Sequence, residues 1–471
     1  MRPRLRLVAP LVALTLLGTA CGGSETTQGT GTGEVGATSD INPMDPGMLA
    51  DGGNLRLSLS SWPANWKTLS NDGNEGEIAG ILRPTMPRAY LTDAAGKLSV
   101  NTDYFTDIQL TSTDPQVVTY TINPKAAWSD ASPITWEDIA SQANAMSERN
   151  KEFLIAGPSG FDRVEKVERG VDDRQAVLTF SKPYAEWQGQ FAGNSMLYPK
   201  SVTATPEAFN RSLVDAPTLT SGPFIVSNLD KAQNRITLSR NPRWWGKPPK
   251  LENITFSVLA DAARVPALQN NEIDAVGLAT IDEMKTAQGS AGVVVRRAPG
   301  LLFSHLTFNG APGSILADAR LRTAIMKAID RQGIATALQN GLVADPKPLN
   351  NHIYVRGQEG YQDNAPAYDP DAAARELDEL GWVRNGDVRE KDGRRLEIRD
   401  VMYQSNTWVQ IAQIIQQNLA QIGVKLNIDT RGGAGFFTDV IQPGDFDVTQ
   451  FSWQGDPFPL SGLPQIYAYN P

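Results

Sequence analysis

The sequence predicts an α/β fold spread over more than one domain, and three observations carry that prediction. Short segments that alternate apolar and polar residues recur between longer segments whose apolar residues step by three and four. The helical segments carry start and stop chemistry at their ends. The length, 471 residues, exceeds what one hydrophobic core usually serves and suggests two or three domains.

The chain opens with features of export. Arg2, Arg4 and Arg6 are positive, Leu7 to Leu17 is apolar but too short to span a bilayer, and Gly18-Thr19-Ala20 are small. Residues 1–20 are therefore expected to be a secretory signal peptide. Cys21 is the only cysteine, and its position at this boundary resembles a bacterial lipobox, in which the thiol is lipidated and becomes the new N-terminus. Gly18 stands where that motif usually has Leu. The other reading is secretion after Ala20 with a free thiol, a liability in an oxidising compartment. Lipidation would place the protein on the extracytoplasmic face of the cell membrane. Residues 21–53, rich in Gly, Ser and Thr, read as a flexible tether. Gly31 to Gly36 matches GxGxxG, but it follows no strand and opens no helix, so it fails as a nucleotide site.

Regular structure is expected from Asn54. Leu55 to Leu59 alternates as a half-buried strand does, and Val117 to Ile122 is a second strand candidate. Thr135 with Asp138 forms a capping-box pattern that predicts a helix start at Thr135. Strands are expected at Ile236–Leu238, Ile254–Val258 and Val293–Val295. From Ala317 to Asp330, Leu321, Ile325, Ala328 and Ile329 make one helical face. From Pro370 to Leu380, Asp369 caps, Pro370 takes the first turn and Gly381 ends the helix. Between Asn406 and Ile422, Trp408, Ile411, Ile415, Leu419 and Ile422 keep the helical step; Gly423 closes it, and Val424 to Ile428 reads as a strand.

Composition narrows the function. The net charge is −9 and would become more negative once the three signal arginines left, which argues against nucleic acid and against anionic membrane binding through a basic face. With His305, His352 and one cysteine, the usual zinc ligand sets cannot be assembled, and no metal or cofactor is expected. His305 lies in a strand-like stretch and reads as a packed sheet residue; His352 lies in a Pro/Asn-rich loop without a nucleophile signature. No catalytic constellation emerges, so a non-enzyme is expected.

Several stretches, in order, resemble the family 5 solute-binding proteins of ABC importers, the oligopeptide- and dipeptide-binding class. They are Ile122 to Asp130 with Pro133 to Asp138, Ser221-Gly222-Pro223-Phe224, Arg240 to Gly246, Ala267 to Ala275, and Phe308-Asn309 with Asp318 to Arg322 and Ala328 to Arg331. Ala131 and Asn271 stand where the family usually has Gly, which points to local turn changes. Family members typically continue well past the segment corresponding to Trp453–Pro471, so the chain is expected to be C-terminally truncated or to lack one hinge crossing. The resemblance implies a two-lobed periplasmic-binding-protein-like fold with a cleft between the lobes. Residues 54–299 would be lobe I with an inserted subdomain, and 300–471 an incomplete lobe II.

The resemblance also implies a site. Peptide-binding relatives hold the ligand's α-ammonium with an Asp in a Trp-x-Gly/Ala-Asp segment, which here is Trp453-Gln454-Gly455-Asp456. Asp456 is accordingly the expected ammonium ligand, although Gly455-Asp456-Pro457 is also good turn chemistry. Trp62, Trp66, Trp408 and Trp453 lie where the resemblance puts cleft-facing loops or helix starts. Gly432 to Gly435 reads as a mobile loop, and Arg320, Arg322 and Arg331 as partners in Asp–Arg surface pairs. The implied function is a lipid-anchored receptor, a monomer, that delivers peptide-like solutes to an ABC permease. The alternatives are an envelope lipoprotein that binds glycolipid or lipoglycan precursors without transport, and a nickel-chelate binder with little support from two histidines.

Overall fold

A computed structural model describes residues 40–467, apart from positions 94–95, 299, 344, 433–434, 456 and 461. The signal peptide, Cys21 and Asp456 lie outside the described residues, as do Gly433 and Ala434 of the glycine-rich loop. The apolar interior falls into two main clusters, one drawn from Leu59 to Phe256 and joined by Phe458, the other from Ile315 to Val448. These are the cores of a first and a second lobe.

The first lobe holds a pair of four-stranded sheets. One runs Asn54–Leu59, Asn253–Val258, Arg235–Arg240, Phe224–Asp230; the other runs Phe105–Thr113, Gln116–Ile122, Gln175–Phe180, Val164–Arg169. Alternation decides which faces are buried. In Gln116–Ile122, Val118, Tyr120 and Ile122 point into the core and the residues between them are only half-buried. The helix Trp136–Ala145 starts where expected, because the Asp138 carboxylate accepts the Thr135 amide at 2.9 Å.

The second lobe is built on a mixed sheet in the order Leu302–Phe308, Val448–Gln454, Glu397–Tyr403, Lys425–Arg431. Glu397–Tyr403 and Lys425–Arg431 are parallel, joined by the helix Asn406–Gln421 as a β-α-β crossover. That helix buries Ala412, Ile415 and Leu419, and Gly423 at φ +78° reverses the chain after it. The Asp369 carboxylate caps Pro370–Glu379 by accepting the Ala372 amide at 2.8 Å.

Some expectations are corrected. The stretch 317–330 is not one helix: Ala319–Lys327 ends early because the Asp330 carboxylate caps the next helix, Arg331–Gln339, accepting the Gly333 amide at 2.8 Å. Leu321, Ile325, Ala328 and Ile329 are nonetheless all buried together. Val293–Val295 forms no strand. Val294 is 62% exposed, and β-branched residues without a partner strand have nothing to pair with. Arg297 instead offers its carbonyl to the Asp40 amide at 2.8 Å. The end of the expected tether runs along the first lobe, with the Gly52 amide donating to Lys250 at 2.8 Å.

The family-like stretches hold the fold together. The Tyr104 hydroxyl donates to the Ser221 carbonyl (2.6 Å), the Ser221 hydroxyl to Ala127 (2.7 Å), Asn241 Nδ2 to Gly222 (2.9 Å) and Arg243 to Ser129 (2.9 Å). Three stretches distant in sequence thus meet in one network. Arg56 on the first strand grips the fourth, reaching Asp274 Oδ1 at 2.6 Å and the Asn271 carbonyl at 2.5 Å. Arg320 pairs with Asp318 at 2.9 Å, whereas Arg322 and Arg331 donate to the backbone carbonyls of Leu316 and Pro366. Ala131 and Asn271 have φ of +73° and +58°, the left-handed region where a Cβ is unwelcome.

Ala131→Gly is therefore expected to raise stability by about 1 kcal/mol, and Leu419→Ala, which empties part of the second core, to lower it by about 2–5 kcal/mol. Both are read from urea unfolding, followed at the lobe that carries the change.

Candidate functional site

Leu302–Phe308 pairs antiparallel with Val448–Gln454 in a register that sets Phe303 opposite Trp453 and His305 opposite Phe451. Residues opposite one another share a face of the sheet, so an aromatic stripe forms there. His305 stands edge-on to Phe451 at 4.5 Å between ring centroids, Phe451 lies 5.3 Å from Trp453, and Phe437 lies 5.3 Å from Phe451. The Ser304 and Ser452 hydroxyls, 2.9 Å apart, pair on the opposite face. Burial holds the His305 imidazole down at about 4, and its Nε2 has no partner among the described residues, so it stays neutral as a packed ring.

One end of this stripe opens into a cavity of about 120 Å³ between the lobes. Leu69, Asn74, Asn194 and Ser195 line it from the first lobe; Phe303, Val355, Trp453 and Gly455 line it from the second. The chain beyond Gly455 then crosses to the first lobe. Phe458 is buried in the first core, and the Leu460 amide donates to Glu186 at 3.1 Å. The loop 352–358 closes another side, and the Tyr467 hydroxyl donates to the His352 carbonyl at 2.8 Å.

Elsewhere across the interface, the Thr438 hydroxyl donates to Asp72, next to an acidic group of Asp72, Glu75 and Glu77. Burial, then Glu77 and Asp72, push the Glu75 carboxyl up to about 7. Burial and the nearby Glu75 also raise Tyr403 of the second lobe. Glu77 is engaged by the Ser60 amide at 2.7 Å and by Arg264 at 3.6 Å.

The site residues expected from sequence separate. Trp453 is in the cavity wall, with a buried indole N–H that has no partner among the described residues. Asp456 lies outside the described residues, but Gly455 before it is in the wall. Trp66 is fully buried in the first core, its amide held by the Leu213 carbonyl at 2.7 Å. Trp62 packs half-buried against that core, and Trp408 sits half-buried in the first turn of Asn406–Gln421; neither is among the described residues that line the cavity. Phe303, Asn194 and Val355 were not foreseen. They are ordinary residues that only the fold brings together. Among the described residues no group of three His, Cys, Asp or Glu is placed to hold a metal, and no helix is long and apolar enough to cross a membrane.

The family model for bacterial extracellular solute-binding proteins, family 5, matches residues 101–470. The chain is 59% identical over 436 residues to the oligopeptide-binding protein OppA of Mycobacterium tuberculosis, a match covering 92% of this chain and 74% of that protein. In structure it resembles the periplasmic EDTA-binding protein EppA, with a TM-score of 0.73 at 24% identity, covering 95% of this chain and 83% of that one. It also resembles AppA of Bacillus subtilis in complex with a nonapeptide, with a TM-score of 0.73 at 19% identity, covering 89% and 85%. The fold is accordingly the two-lobed one of solute-binding proteins.

His305 yields a pH dependence. Its folded pKa is depressed to about 4 from 6.5, so the unfolded chain gains a proton first as pH falls, and stability is lost between about pH 6.5 and 4. His305→Phe is expected to lose on the order of 2 kcal/mol less than the parent between pH 7 and 4.5, measured by urea unfolding at both pH values.

Proposed function

Because the chain belongs to the bacterial extracellular solute-binding proteins, family 5, we propose that its solute is a peptide, captured between the lobes and handed to an ABC permease. The observation that carries this reading is the cavity shared by both lobes, with Trp453 in its wall three residues before Asp456. In this reading the Asp456 carboxylate takes the ligand's α-ammonium, a charge-assisted pair that demands a free N-terminus. The indole of Trp453 stacks on the ligand, and its N–H donates to a ligand carbonyl. Trp62, Trp66 and Trp408, the other contacts expected from the sequence, are not among the described residues that line the cavity and take no part in this reading.

Residues 54–299 and 300–455 act as the two lobes, with the stretch around Phe458 returned to the first, and ligand binding shifts them from open to closed by its higher affinity for the closed form. Cys21 carries a lipid that keeps a monomeric receptor at the extracytoplasmic membrane face, and the cycle is one of binding and release with no bond made or broken.

Thermal unfolding of residues 22–471 with short peptides, each paired with its N-acetylated form, tests the reading. Free peptides are expected to raise stability, by about 2.7 kcal/mol at a hundred times Kd; acetylated ones are not, and Asp456→Asn is expected to abolish the difference. A transition unmoved by every peptide but raised by acylated phosphoinositol mannosides would replace the peptide reading with glycolipid binding.

A further inference from the structure

We infer that closing the lobes takes up a proton at the acidic group Asp72, Glu75 and Glu77, so that the protein holds its solute more tightly as pH falls. The inference rests on the lobe closure of the reading above and not on the peptide as solute.

The three carboxylates belong to the first lobe, in the turn Asn71–Gly73 and at the start of the helix Gly76–Leu82. The second lobe meets them with the turn Phe437–Ile441 and with Tyr403. The Thr438 hydroxyl donates to Asp72, and Tyr403 packs on Phe436 at 4.2 Å between ring centroids. What the second lobe brings to Glu75 is hydroxyl and aromatic ring, without a cation.

The cations nearby are engaged with other groups. Glu77 accepts from the Ser60 amide and hydroxyl at 2.7 and 2.6 Å and lies 3.6 Å from Arg264, which is also 3.5 Å from Asp261. Lys67, whose carbonyl packs against Gly73, donates its ammonium to the Phe209 carbonyl. In the second lobe Arg431, the register partner of Tyr403, pairs with Asp429 at 2.7 Å, and Asp439 adds a carboxylate next to Thr438. Among the described residues no cation is paired with Glu75. From residue 22 onward, the positions outside the described residues include no Lys, Arg or His that could supply one.

Closure therefore takes water from a group of like charges that has one shared cation. Burial, and then Glu77 and Asp72, lift the Glu75 carboxyl to about 7 in the joined lobes. A carboxyl raised by covering keeps a proton in the joined form that it loses in the parted one. The joined form is thus favoured at low pH, and that advantage is gone once pH has risen past about 7.

The test uses residues 22–471 at about pH 5.5 and 7.5, as the parent and as Glu75→Gln, with a melting curve for each. Small-angle scattering without ligand is expected to give the parent a smaller radius of gyration at the lower pH, and Glu75→Gln the compact radius at both. Calorimetric titration with tetra-alanine is expected to show the parent binding roughly fivefold or more tightly at the lower pH, and Glu75→Gln changing by less than about twofold. Buried Asp400 and the ligand's α-ammonium titrate alike in both proteins and cancel in the comparison. If Glu75→Gln melts well below the parent, Asp72→Asn, which keeps an acceptor for Thr438, replaces it and is expected to shrink both pH shifts. A variant that melts like the parent and keeps its full pH shift overturns the inference, as does a parent whose radius and affinity do not change with pH. Tetra-alanine that binds at neither pH counts against the peptide reading alone; the scattering then decides, and a parent radius fixed across pH overturns the inference.

Discussion

The register between Leu302–Phe308 and Val448–Gln454 is the constraint on which the second lobe and the cavity both depend. These strands come from opposite ends of the lobe's sequence, and their antiparallel ladder closes the sheet at the cleft. Because side chains alternate faces, a slip of Val448–Gln454 by one residue would send Trp453 to the side of Ser304 and break the aromatic wall. Several contacts pin the register. The Gly455 amide donates to the Leu301 carbonyl at 3.0 Å at the cleft end, and Asn309 Nδ2 donates to Phe446 at 3.0 Å at the far end. In the next strand Asp400 is fully buried against Gln450, its carboxyl pushed up to about 7 by burial, so a displaced strand would strand a polar group in the core.

The same wall lies beside the point where the chain passes between the lobes. Gly455 is still part of the second lobe, while Phe458 lies in the first core. Only a few residues separate the wall from the crossing, and the expected ammonium ligand falls among them. In the proposed function a ligand seated against Trp453 would touch the stretch of chain that spans the lobes, and its binding energy would act on their relative position without a longer relay. The Thr438–Asp72 hydrogen bond and the Glu75–Tyr403 proximity lie elsewhere along the interface, so the lobes also meet away from the cavity.

Much of the fold was legible in the sequence because its signals are local. Asp369 and the Thr135–Asp138 pair are capping chemistry that acts within one turn, and each caps a helix in the structure. The departures at Ala131 and Asn271 were read as turn changes, and both residues have positive φ. Where local signals competed, the reading failed: the sequence reading ended a helix at Asp330, and the structure uses that residue as the cap of the next. The cavity was legible only at Trp453, through a motif. Leu69, Asn194, Phe303 and Val355 carry no pattern, since their meeting depends on sheet register and lobe packing over more than two hundred residues. Counting tryptophans in loops could not separate Trp66, which fills the first core, from Trp453, which faces the cavity.

The central claim is that one ligand is held by both lobes at once. Amide hydrogen exchange on residues 22–471, with and without a saturating free-N-terminal peptide, tests it most directly. The account predicts that exchange slows together around Asn194–Ser195 on the first lobe and at Trp453–Gly455 on the second. Slowing on one wall alone, or protection elsewhere with both walls unchanged, would contradict it.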